Sequence, residues 1–314
     1  MSHRKRVIVT GVSGYIGSFI AKSCLESGYE VLGISKNNAD LVSKELGVDV
    51  VKADLLVSSN LESIDFHSSD VIIHCATAND ILSKDFNAGV LLSVMGTRHL
   101  FEAALRAGVR KLVLFSTAQV YGTELIGEID ESSLIRCETP YALNHLFAEE
   151  LSRFYSITSD FDVVAVRPSN VYGLPLISTV NRSTLVPMCF VDQVVETGSI
   201  SLHSSGKQTR NFVSIGEVAD LILKVLDEFP QGFSIANACS NYHASIFDIA
   251  TLVASSFAAT YKENIPVNVE CMQPSTPNVF QYKSKFFTPL ADESLCKENM
   301  ASVIDQLIQK RKAE

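Results

Sequence analysis

The chain has 314 residues, 46% of them hydrophobic and 19% charged, enough to bury one large core or a large core with a smaller lobe attached. Its net charge of −9 argues against a nucleic-acid or anionic-membrane partner, because only the Arg4-Lys5-Arg6 start is locally basic, and that cluster reads as a solvated strand entrance. The seven cysteines are scattered with no CxxC pair, so neither a disulfide framework nor a zinc site is indicated and most should behave as small buried hydrophobes.

The first apolar run, Val7 to Val9, breaks at Gly11 and Gly14, too short for a signal-peptide core or a membrane span, which places the protein in the cytoplasm. Short runs rich in valine and isoleucine predict strands at Arg6–Thr10, Tyr29–Ile34, Asp49–Lys52, Asp70–His74, Lys111–Ser116 and Val163–Arg167. Between them, apolar residues at three and four spacing predict helices at Tyr15–Ser27, Ala88–Ala107 and Tyr141–Tyr155. Alternation of this kind is the pattern of an α/β fold, a Rossmann-like doubly wound parallel sheet with crossover helices on both faces. After about Gly173, prolines at 175, 187, 230, 266, 274, 277 and 289 mark turns between shorter elements, with helices expected at Ser183–Glu196, Ile215–Phe229, Ser245–Phe257 and Ser294–Lys310. Residues 1–173 are therefore expected to form a dinucleotide-binding domain, and 174–314 mainly a substrate-binding lobe with some segments returning to the core.

The stretch VIVTGVSGYIGS places Gly11, Gly14 and Gly17 between an apolar strand and a helix. A tight turn, close approach to a pyrophosphate and a helix amino terminus with free N–H groups are what a bound dinucleotide requires. At the end of the second strand, where an NAD-preferring fold presents an acidic residue to the ribose, Ser35 and Lys36 stand instead, a pair better suited to a 2′-phosphate. That leans the cofactor to NADP over NAD. LVLFSTAQVYG brings Ser116, Thr117 and Tyr121 to the carboxyl edge of the sheet, where ligands of open α/β sheets bind. With Tyr141 on the next helix, a hydroxyl and a phenol can converge on one carbonyl or carbinol oxygen, one orienting it and the other exchanging a proton.

These segments, together with ADL at 53–55, HCAT at 74–77, SVMGTRHLFEAA at 93–104, PYALNH at 140–145, RPSNVYG at 167–173 and RNFVSIGEVADLI at 210–222, resemble the extended short-chain dehydrogenase/reductase family, of the NAD-dependent epimerase/dehydratase type acting on nucleotide sugars. The resemblance covers nearly the whole chain. It implies that Thr117 orients substrate, that Tyr141 is the catalytic tyrosine, and that Gly11, Gly14, Tyr15, Ile16, Gly17, Asp54, Leu55 and Ala76 contact the dinucleotide. By the same resemblance Pro168 and Ser169 lie at the nicotinamide carboxamide, Asn170 meets substrate, and Arg210 holds the diphosphate of a nucleotide sugar. Family members often dimerise, and the helices at 88–107 and 141–155 would suit a four-helix interface.

The chain departs from the pattern where it matters for chemistry. The family's Tyr-x-x-x-Lys ends here in His145, Ser93 stands where many members have asparagine, and Thr184 precedes Leu-Val-Pro where an asparagine often contacts substrate. Free tyrosine titrates near ~10 and histidine near ~6.5, so a neutral imidazole cannot hold a tyrosinate at pH 7 as an ammonium can. Reduction of a ketone needs a protonated phenol and should survive the substitution better than oxidation. A 4-ketoreductase is thus ranked above a 4-epimerase, with a non-catalytic NADP-binding sensor or scaffold as the competing class. Ala118-Gln119, in place of the Asp-Glu that family dehydratases carry after the threonine, disfavours a dehydratase.

Overall fold

The computed structural model describes residues 5–270, 279–289 and 291–313, so Arg4, Cys271, Pro274 and Pro277 lie outside the described residues. Five of the expected strands form as β1 (Arg6–Thr10), β2 (Glu30–Ser35), β3 (Asp49–Lys52), β4 (Val71–His74) and β5 (Lys111–Phe115). Gly127–Ile129 forms a short β6, and the sixth expected strand is β7 (Asp162–Pro168). The remaining strands are β8 (Asn170–Tyr172), β9 (Ile200–Leu202), β10 (Thr209–Ser214), β11 (Phe233–Ala238), β12 (His243–Ser245), β13 (Val267–Val269) and β14 (Phe280–Tyr282).

Seven strands form one parallel sheet in the order β11-β7-β5-β4-β1-β2-β3. Side chains of a strand alternate between faces, and both faces are buried here. Val7, Val9, Ile73, Val113 and Val164 join one core cluster, while Ile8, Ile72, Leu112, Leu114 and Val163 join another. That two-sided burial is why these strands read as unbroken apolar runs. Because the chain winds from β1 outward to β3 and then returns to lay β4 on the other side of β1, the crevice between the carboxyl ends of β1 and β4 is the topological switch point.

Helices α1 (Tyr15–Glu26), α2 (Ala39–Leu46) and α3 (Ser58–Glu62) follow the first three strands. The apolar period at 88–107 continues as one rod but not as one regular helix: α4 (Phe86–Val90) passes through a π-helical turn, Leu91–Gly96, into α5 (Thr97–Arg106). Gly89 lets this rod approach the next helix, since a Cβ there would lie 2.2 Å from Nδ2 of Asn144. The next helix is α6 (Pro140–Ser159), capped by Thr139, whose hydroxyl accepts from the Ala142 N–H at 3.1 Å. Further on lie α7 (Met188–Thr197), α8 (Ile215–Asp227), α9 (Ile246–Tyr261) and α10 (Glu293–Ala313). The helix expected from Ser183 starts only at Met188, because Asn181 holds Ser183 in a turn and Pro187 occupies the cap. Beyond residue 173, β11 pairs with β7 as the edge of the large sheet, and α8 packs beside α1. Small sheets β12-β10-β8, β13-β9 and β14-β6 account for the rest of the strands among the described residues. No helix among the described residues is long and apolar enough to cross a membrane.

Candidate active site

Gly11 is the first residue beyond β1 and turns the chain with φ +68°. A Cβ at Gly11 would lie 2.9 Å from the Ala76 nitrogen, and one at Gly17 would lie 2.3 Å from the Gly11 carbonyl oxygen. The loop can therefore close on β4 and on the first turn of α1 only with glycine at both positions. Gly14 caps α1 without a side-chain hydrogen bond, so amide donors at the start of a twelve-residue helix are left for an anion. Above this turn opens a cleft of about 490 Å³, whose wall includes Gly11, Gly14, Tyr15, Ile16, Gly17 and Ala76 on one side and Thr117, Tyr141, His145, Pro168, Ser169 and Asn170 on the other. A glycine cradle and a free helix amino terminus at the switch point fit the pyrophosphate of a dinucleotide.

Thr117 follows β5 and caps a short 3₁₀ turn, accepting the Gln119 N–H at 3.2 Å. Tyr141 and His145 sit on successive turns of α6 with ring centroids 4.6 Å apart and nearly edge to face. Burial raises the Tyr141 phenol above its ordinary value, opposed first by hydrogen bonding from the Thr117 side chain and then by the charge of Arg182. Burial pushes the His145 imidazole down to about 4, against the upward pull of Glu149. The imidazole is 4% exposed and its Nδ1 has no hydrogen-bond partner. At pH 7 it is neutral, and it holds no cation beside the phenol.

The other two hydroxyls expected at the strand edge, Ser116 in the cleft wall and Tyr121 outside it, are already engaged. Ser116 donates to the Glu149 carboxylate, which receives Arg167 Nε at 2.9 Å and Nη2 at 2.5 Å. Arg167 Nη1 donates to the Tyr121 hydroxyl at 2.7 Å, and that hydroxyl donates to Asn237 Oδ1 at 2.9 Å. Glu149 is 0% and Arg167 2% exposed, so this fully buried pair ties α6 to β7 about two turns along the helix from Tyr141. Sequence reasoning missed Glu149, although its spacing of four from His145 and eight from Tyr141 puts all three on one helix face. It also missed Arg182, which lines the cleft from a loop, and Asp80, which meets that arginine from another loop. Their Nη1 and Oδ1 are 3.4 Å apart, and Arg182 Nε is buried without a partner. Arg182 sits in the polar run Asn181 to Thr184, which gives the sequence no signal for it.

Ser35, Lys36, Asp54 and Leu55 stand together at the ends of β2 and β3, outside the wall of this cleft. Lys36 Nζ lies 2.9 Å from Asp54 Oδ2, so its charge is matched by a carboxylate. The Ser35 hydroxyl lies 2.8 Å from Ser13 Oγ and 2.6 Å from the Asn37 carbonyl oxygen. The lean to NADP thus rests on a lysine already paired and a hydroxyl already bonded. Ser169 Oγ donates to Asn211 Oδ1 at 2.7 Å, and Asn170 Nδ2 to the Asn211 carbonyl at 3.0 Å. Arg210 is not in the cleft wall, and its Nη1 donates to the Thr123 carbonyl at 3.0 Å. Ser93, inside the π-helical turn, accepts the Ala78 N–H at 3.1 Å.

The sheet order, the glycine turn at its switch point and the tyrosine above it define a Rossmann-type fold of the nucleotide-sugar kind of short-chain dehydrogenase/reductase. Residues 7–238 match the NAD dependent epimerase/dehydratase family, and the chain belongs to it. It is 29% identical over 275 residues to dTDP-D-glucose 4,6-dehydratase of Mus musculus, an alignment covering 84% of this chain and 76% of that protein. Its fold is shared with UDP-glucose 4-epimerase from Thermotoga maritima with UDP-glucose, at TM-score 0.81 and 17% identity over 98% of this chain and 100% of that one. It is likewise shared with DesIV, the dTDP-glucose 4,6-dehydratase from Streptomyces venezuelae with NAD and TYD bound, at TM-score 0.80 and 20% identity over 98% of each chain.

Proposed function

We propose that the protein is an NAD-dependent oxidoreductase of a nucleotide sugar, acting at C4 and favouring reduction of the 4-keto group. The observation that carries the direction is the pairing of a phenol raised by burial with an imidazole held neutral: Tyr141 rests as a proton donor. In this reading Gly11, Gly14, Tyr15, Ile16, Gly17, Asp54, Leu55 and Ala76 hold the dinucleotide, with Pro168 and Ser169 at its nicotinamide end. Asn170 and Arg210 contact the nucleotide sugar, and the segment from 174 onward supplies most of the substrate wall. The bound dinucleotide supplies or removes the hydride at C4. Thr117 holds the C4 oxygen toward Tyr141, and as the carbonyl is reduced the phenol proton passes to that oxygen, leaving a tyrosinate that is reprotonated from water. Oxidation reverses these transfers, the C4 hydroxyl proton going to Tyr141.

NAD is favoured over NADP because Lys36 spends its charge on Asp54. Comparing the affinities of the purified protein for NAD and NADP tests this, and tighter NADP binding would reverse the assignment. Two copies pairing through α4, the π-helical turn and α6 fit the exposed Phe86, Leu91, Phe147, Phe154 and Ile157 on those segments. A monomer mass by light scattering would remove that pairing.

A 4-epimerase is the second reading, favoured by the fold shared with a UDP-glucose 4-epimerase. The test follows dinucleotide absorbance while a panel of nucleotide-linked 4-keto sugars is offered, beside epimerisation of nucleotide hexoses. Tyr141→Phe should abolish turnover and leave cofactor binding nearly intact. Turnover unchanged by that substitution removes the role given to Tyr141. Tight dinucleotide binding with neither activity would instead make the protein a non-catalytic sensor or scaffold.

A further inference from the structure

We propose that Arg182 supplies, from a loop lining the same cleft, part of the fixed positive charge that position 145 lacks, and so biases Tyr141 toward the tyrosinate needed to oxidise an alcohol. The assignment rests on the reading of Tyr141 as the proton-exchanging group. It makes Arg182 a positioning residue, acting through the tyrosine rather than on the hydride.

Arg182 lies in the segment between β8 and α7 and lines the same cleft as Thr117, Tyr141 and His145. Its pairing is incomplete. Asp80, from the segment after β4, is 3.4 Å from Nη1, long for an ion pair, and Nε is buried with no acceptor. A buried guanidinium N–H without a partner is rare in native structures and marks a place where the side chain is held for another purpose. The groups that face Tyr141 are His145 on α6, Thr117 after β5, Asp80 after β4 and Arg182. Of these, the imidazole is neutral at pH 7, the hydroxyl is uncharged and the carboxylate is an anion, so among the described residues facing the phenol Arg182 is the permanent cation. Its charge lowers the phenol, and Asp80 opposes it more weakly. The same guanidinium opposes the rise that burial imposes on the Tyr15 phenol, at the start of α1. A charge delivered from a loop rather than from the tyrosine's own helix explains how this chain can carry a histidine at 145 and still stabilise some tyrosinate.

The test places a fluorinated tyrosine at position 141 of the full chain, which lowers the phenol's titration into the range where the fold is stable, and follows it by fluorine NMR. Arg182→Gln should move the midpoint up by about one pH unit, Arg182→Lys should restore at least half of that, and Asp80→Asn should move it down. A folded Arg182→Gln protein with an unmoved midpoint overturns the proposal, even if it binds nucleotide sugar more weakly, since the arginine would then be a substrate contact only. If Arg182→Gln does not fold, Asp80→Asn decides alone, and an unchanged or raised midpoint overturns the proposal. No turnover is needed for this titration. A shift in a protein without reductase or epimerase activity would keep the charge assignment and end the functional reading.

Discussion

His145→Lys puts an ammonium where an uncharged ring now lies 4.6 Å from the phenol. At that separation and an effective dielectric constant of ~20, a unit charge stabilises a tyrosinate by about 3.5 kcal/mol, which lowers its titration by about 2.5 pH units. Burial of the new ammonium weakens its own charged form, so a shift of roughly two units is the expected net effect. With a phenol above its ordinary value of ~10, fewer than about one molecule in a thousand is ionised at pH 7, so oxidation that depends on tyrosinate should rise by roughly a hundredfold. The assay is dinucleotide absorbance in both directions at pH 7, on variant and wild type of matched circular dichroism. If oxidation is unchanged in a folded variant, the electrostatic account of position 145 is wrong.

Acid should weaken the fold before its carboxylates titrate. Burial holds His74 and His145 at about 3 and about 4, against ~6.5 in an unfolded chain, so below pH ~6.5 the unfolded state binds protons that the folded state does not. Stability should therefore fall as pH drops from ~6.5 toward ~4, by up to roughly 3 kcal/mol for His145 alone. Thermal melts between pH 7 and 5 check this, and His145→Gln should flatten the slope. Glu149→Gln should cost about 3–5 kcal/mol by stranding the Arg167 charge, seen as a lower urea midpoint; an unchanged midpoint would mean that water reaches the pair. Gly17→Ala should weaken NAD binding at least about tenfold in calorimetry, because its methyl would meet the Gly11 carbonyl oxygen at 2.3 Å. Binding at wild-type strength would show that the turn can relax.

Elements whose residues meet near neighbours were legible in the chain. The two-sided apolar runs of β1, β4 and β5 announced a covered parallel sheet, and the glycine triplet announced the turn at its switch point. Tyr141 and His145 four apart on a helix were bound to touch, and they do. Bounds drifted where local period and tertiary demand disagree. The rod through 88–107 takes a π-helical turn at Ser93, and the turn held by Asn181 delays α7 to Met188. The strand β11 escaped because Ser234 and Asn237 break its apolar run, so that only pairing with β7 fixes it as a strand.

Composition, periodicity and spacing determined the class of fold, the place of the glycine turn and the absence of a lysine four residues after Tyr141, because each is a property of contiguous residues. Only the tertiary structure decided the charges around that tyrosine. Lys36 was paired when the loop after β3 brought Asp54 to it, and Glu149 was paired by Arg167 from β7. Arg182 reached the cleft from one loop and met Asp80 from another, about a hundred residues away. Electrostatic energy depends on distance through space and on burial, and neither is written in the order of the residues.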